Sequence, residues 1–151
     1  MNKMRIFIKR HICTFVRPDA AAFRKGGITM TGTECFHAAL NLLAETPNSG
    51  VYYEQFALGA LNQLLSNSLR EINAEHVFRA EPVLDAPPRL HALSDEIPAG
   101  DWLVRECFPY GLAALLVADD DKAKFNWAAN EYTDRLLRHC PAQFTAIREM
   151  V

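Results

Sequence analysis

The sequence has no paired cysteines, no phosphate-cradling glycine loop and no long apolar run, and each absence removes a class of function. Cys13, Cys35, Cys107 and Cys140 lie far apart, with no C-x-x-C pair and no histidine at ligand spacing, so neither a zinc site nor a disulfide framework is signalled. His139 and Cys140 adjoin, but neighbours on a helix point about 100° apart and do not readily share a metal. There is no G-x-x-x-x-G-K and no G-x-G-x-x-G; Gly26-Gly27 is not followed by the lysine and hydroxyl that phosphate binding requires. His37, His76 and His91 have no serine or cysteine in a nucleophile motif to work with. Half of the residues are hydrophobic, yet no stretch approaches the ~20 uninterrupted apolar residues of a membrane span. The expectation is a non-enzymatic protein with no cofactor, no metal and no membrane segment.

Charge is present in two unlike blocks. Residues 1–29 hold seven Lys and Arg against Asp19 alone, a net of +6, whereas residues 30–151 hold nine basic and seventeen acidic residues, a net of −8. Read back into codons, Lys25-Gly26-Gly27 can encode a purine-rich ribosome-binding element about seven nucleotides ahead of the codon of Met30. Residues 1–29 are therefore expected to be upstream-translated or dispensable basic sequence, and residues 30–151 to form one domain. The competing readings are a basic nucleic-acid arm and an Arg-rich presequence.

From Met30 the pattern is helical. Thr31 stands three residues before Glu34 as a capping box, and Phe36, Ala39, Leu40 and Leu43 follow at helical spacing. Pro47-Asn48-Ser49-Gly50 predicts an interhelical loop. A second helix is predicted from about Tyr52 to Ala74, with Tyr53, Phe56, Ala57, Leu61, Leu64, Leu65 and Ile72 on its apolar face. Gly59 and Ala60 in its middle would permit a close helix crossing. Between about His76 and Asp101, Pro82, Pro87, Pro88 and Pro98 interrupt any period, and so long a connection in a small domain suggests an assembly contact. The segment from Asp101 to His139 predicts a helical hairpin with Asp101 and Asp121 as N-caps and a kink near Arg105 to Phe108, ahead of Pro109. The fold expected is all-α, about four helices with a long proline-rich excursion between the second and third.

Asp119-Asp120-Asp121 lacks the interleaved spacing of a calcium loop and reads as a turn with an N-cap. Trp102, Trp127, Tyr110 and Tyr132 read as core rather than as a stacking platform, because an acidic body repels phosphates.

The stretch "VRECFPYGLAALLVADDDKAKFNWAANEYTDRL" resembles the head-to-tail connector, or adaptor, proteins of tailed bacteriophages and prophages. The matching residues are Pro109, Tyr110, Gly111, Leu112, Ala113, Ala114 and Leu115, then Phe125, Tyr132 and Leu136. The preceding Asp95, Glu96, Ile97 and Pro98 resemble that family's lead-in. The likeness covers about a third of the chain and carries over no enzymatic residue. It implies a structural virion protein assembled in the bacterial host cytoplasm, forming a ring under the portal protein and meeting a tail or stopper protein. DNA would pass through without tight binding. The candidate assembly contacts are Val83, Leu84, Leu90, Leu93 and Ile97 in the excursion and Phe144 and Ile147 in the tail; Asp119, Asp120 and Asp121 are candidates for an acidic lumen or a solvated turn. The alternative is a stand-alone helical regulatory or nucleic-acid-binding protein that uses the basic N-terminal arm.

Overall fold

Thr31 opens the first helix as expected: its amide donates to Glu34 Oε2 at 2.8 Å and its hydroxyl accepts from the Glu34 amide at 3.2 Å. The computed structural model describes residues 30–139, so the expectations for residues 1–29 and for Phe144 and Ile147 lie outside the described residues. Within them the chain is all-α. Five helices, α1 (Gly32–Leu43), α2 (Pro47–Asn67), α3 (Leu69–Phe78), α4 (Phe108–Leu116) and α5 (Lys122–His139), are joined by short turns and one long extended segment. The only β feature among the described residues is an isolated bridge between Thr31 and Glu96. None of these helices is long and apolar enough to cross a membrane.

α4 is the centre of the fold, packed against α1, α2 and α5. Phe108, Leu112 and Ala113 are fully buried, and Gly111 lets its neighbours close in. A Cβ at Gly111 would stand 2.8 Å from Leu64 Cδ2 and 2.9 Å from the Tyr132 ring, so it is side chains of α2 and α5, not another backbone, that use the space. Around α4 gather Cys35, Phe36, Ala39 and Leu43 of α1 and Ala57, Leu61, Leu64 and Leu65 of α2. Burying each large apolar side chain contributes roughly 1.5–3 kcal/mol.

The first two helices are joined more tightly than the sequence suggests. Ala44 takes a left-handed conformation (φ 54°), and Glu45 donates back to the Leu40 carbonyl at 3.1 Å, closing α1. Pro47 then starts α2 instead of ending a loop, because its fixed φ suits the first helical turn and its missing N–H is not needed there. Thr46 precedes it as the cap, with its amide donating to Ser49 Oγ at 3.2 Å.

The helix expected over Tyr52 to Ala74 is two, α2 and α3, which meet at Ser68, where the backbone leaves helical angles (φ −98°, ψ 13°) while the hydrogen-bond ladder runs on. That residue is fully buried, and its hydroxyl pairs with Tyr132 Oη of α5 at 2.9 Å. Ahead of α4 the predicted disturbance is a π-helical stretch, Leu103–Cys107, in which the Phe108 amide reaches Leu103 O. Pro109 has no N–H to give Arg105 and its ring crowds that carbonyl, so the helix widens by a residue. Gly100, not Asp101, supplies the first helical acceptor, to the Val104 amide at 3.0 Å, while Asp101 pairs with Arg105 Nε at 2.6 Å. Asp121 caps α5 as expected, accepting from Ala123 and Lys124 amides at 2.9 and 3.0 Å.

Candidate assembly surfaces

The proline-rich segment 81–100 is a strap held against its own subunit. Asn73 of α3 grips the Leu84 backbone by both ends of its amide, accepting from the N–H at 2.8 Å and donating to the carbonyl at 3.0 Å. Asn62 of α2 does the same at Leu90, again at 2.8 and 3.0 Å. The strap then crosses the start of α1, where Asp95 O accepts from Gly32 N and Leu93 O from Thr33 N. It thereby fills orphan donors of that helix. Asp95 turns the strap by accepting from the amides of His91 and Ala92 at 2.9 Å, which holds its carboxyl below the usual value.

This arrangement revises which strap residues face outward. Leu90 and Ile97 are buried in the subunit core, and Leu84 and Leu93 are partly buried against it. Only Val83 remains well exposed. At the end of α3, Val77 and Phe78 are 65% and 81% exposed, and neither is singled out from the sequence. The turn that presents them is ordered by the Glu81 amide donating to His76 O at 2.8 Å, by His76 Nδ1 lying 2.7 Å from Pro82 O, and by Ala80 in the left-handed region (φ 56°).

A second surface, of mixed apolar and polar lining that includes Gln55 and Gln63, lies at the other end of the α2–α3 arm. A groove of about 430 Å³ runs between α2 and the end of α4, lined by Tyr52, Phe56 and Gly59 on one side and by Leu115, Asp119 and Asp120 on the other. Tyr52 stacks edge-on with Tyr53 and Phe56 at 5.3 and 5.6 Å, and Tyr53 Oη, inside the fold, donates to Asp120 Oδ2 at 3.3 Å. Phe56, counted from the sequence on the apolar face, is half-exposed. The aspartate triplet divides: Asp119 and Asp120 edge the groove, and Asp121 is the N-cap of α5.

Polar contacts of α5 tie it to the end of α1 and to the segment ahead of α4. Lys124 Nζ donates to Leu43 O at 3.0 Å and Glu45 Oε1 at 2.9 Å, placing a cation at the C-terminus of α1 and depressing the Glu45 carboxyl. Arg135 of α5 stacks over Tyr110 at 4.1 Å and donates to Glu106 at 3.0 Å. Of the four aromatics expected in the core, Tyr132 is largely inside, whereas Trp102 and Trp127 sit at the surface, Trp127 edge-on to Tyr110 at 5.8 Å. Burial pushes the thiols of Cys35 and Cys107 up to about 12, which keeps them protonated and inert. No three His, Cys, Asp or Glu side chains among the described residues converge as a metal set. Comparison with known protein families, curated proteins and solved structures finds no match.

Proposed function

We propose that the chain is a head-to-tail connector subunit of a tailed bacteriophage or prophage, assembling as a ring at the portal and joining capsid to tail. The observation that carries this reading is the unity of the residues behind the resemblance. Pro109 to Leu115 build the central helix α4, while Phe125, Tyr132 and Leu136 lie on α5 among the partly buried residues packed on the core. Gly111 meets Tyr132 directly, and Tyr132 reaches Ser68 between α2 and α3. A likeness scattered over the surface would carry much less. Surface features also suit a structural role: an exposed apolar tip, a groove that carries exposed aromatic rings beside carboxylates, and inert thiols.

The net charge of −8 over residues 30–151 favours letting DNA slide past over gripping it, because few cations are available for phosphate contacts. Quantitative mass spectrometry of purified particles from the host that carries this gene tests the function. The expected result is several copies of the chain per particle, in constant ratio to the portal protein. Particles with full tails and no trace of the chain would refute it.

A further inference from the structure

Gly59 stands in the wall of the α2 groove for no reason internal to the subunit. A glycine in mid-helix weakens the helix relative to alanine, and a Cβ placed there would meet nothing within 4 Å. At Gly32, Gly100 and Gly111, by contrast, a Cβ would come within 3 Å of the chain's own atoms. The bare backbone at Gly59 faces outward, between the exposed rings of Tyr52 and Phe56 and the carboxylates of Asp119 and Asp120. Such a surface accepts the close approach of a bulky apolar group flanked by a cation.

The chain itself presents that group. Phe78 is the most exposed of its large hydrophobic side chains among the described residues, and its chain neighbour Val77 is exposed as well. Arg79 follows it, half-exposed and in an i,i+4 ion pair with Glu75 at 3.9 Å, which leaves guanidinium donors for a second carboxylate. Tip and groove are out of reach of each other within one chain. The helical ladder continues through Ser68, whose amide donates to Leu64 O at 2.9 Å and whose carbonyl accepts from Ile72 N at 3.0 Å. At 1.5 Å per residue, Gly59 and Phe78 are therefore about 28 Å apart along the arm.

We propose that the Phe78 tip of one copy seats in the Gly59 groove of the next copy, with Arg79 meeting Asp119 and Asp120. Because tip and groove are different patches, the contact is heterologous: each copy engages two neighbours, and repetition closes a ring or extends a filament. An aromatic anchor of this kind buries roughly 150–250 Å² by itself, well under a standard interface of ~1,600 Å². Free copies therefore associate weakly. The inference deepens the connector reading and rests on it only for closure into a ring.

The test is sedimentation velocity of the full chain up to about 1 mM, the range of weak contacts. Phe78→Ser removes the tip and Gly59→Gln fills the groove with a good helix former; thermal unfolding checks that both remain folded. Wild type is expected to form species beyond the dimer. Each variant alone associates at least tenfold more weakly, and an equal mixture yields one-to-one dimers and nothing larger, since only one functional tip–groove pair exists. Wild type that stays monomeric throughout, either variant associating within twofold of wild type, or a mixture without the dimer overturns the contact. Tip-and-groove association in a chain absent from particles would leave the contact standing and the connector reading fallen. Portal-bound rings indifferent to both substitutions would do the reverse.

Discussion

A methyl group added to Gly111 would stand 2.8 Å from Leu64 Cδ2 and 2.9 Å from Tyr132, while one added to Gly59 would touch nothing. The same substitution should therefore act in opposite directions. Gly111→Ala overpacks the centre of the fold and is expected to destabilise by about 1–3 kcal/mol; Gly59→Ala is expected to stabilise by about 0.5–1 kcal/mol through helix propensity. Urea unfolding of the two variants against wild type checks both signs. The buried thiols make a separate prediction. Alkylation needs the thiolate, and with their pKa pushed up to about 12, Cys35 and Cys107 should resist iodoacetamide at neutral pH until the chain is unfolded. Peptide mapping after brief labelling would show this, and rapid labelling of either residue in the folded chain would contradict the burial.

At the scale of elements, the strap depends on two asparagines. Replacing Asn62 with leucine removes both partners of the Leu90 backbone and should cost about 1–3 kcal/mol, the penalty for stranding partly buried polar groups. Loss of hydrogen-exchange protection at Leu90 N would locate the effect. Three carboxylates are also linked to local structure. Hydrogen bonds from the Thr31 amide and hydroxyl lower Glu34, the Lys124 ammonium lowers Glu45, and the amides of Ala92 and His91 lower Asp95. A depressed carboxyl stabilises the fold above its unfolded pKa and loses that contribution as pH falls through the folded value. Thermal stability should thus hold down to about pH 4.5, the ordinary value for the two glutamates, and decline below it. Glu34→Gln should flatten part of that decline.

Those local devices are also the ones that could be read from the chain alone. The Thr31 capping box, the Asp121 cap and the disturbance ahead of Pro109 each depend on residues a few positions apart. Ser68, where α2 meets α3, pairs with Tyr132, and the strap is held by Asn62 and Asn73, partners that only the folded chain brings together. Pro47 was ambiguous in the sequence because proline both ends one helix and suits the first turn of the next. The aspartate turn is legible as surface, whereas nothing in the sequence separates exposed Val83 from Leu84, Leu90, Leu93 and Ile97, which fold inward. Phe56 and Phe78 are not legible as surface either, because a helix with more apolar residues than its core-facing arc can hold does not declare which it leaves outside.

At the scale of the molecule, the described residues form an all-α body whose proline-rich strap is folded back on its own core, with an exposed Phe78 tip and a groove at Gly59 at opposite ends of one arm. The proposed connector role would use tip and groove as contacts between copies, and the acidic charge of residues 30–151 would suit a passage for DNA. The most direct measurement is electron microscopy of this chain co-expressed with the portal protein of the same genome. The account predicts an additional ring of density on one face of the portal, with copies related by the portal's axis. Bare portals beside well-folded, abundant free chain would contradict it.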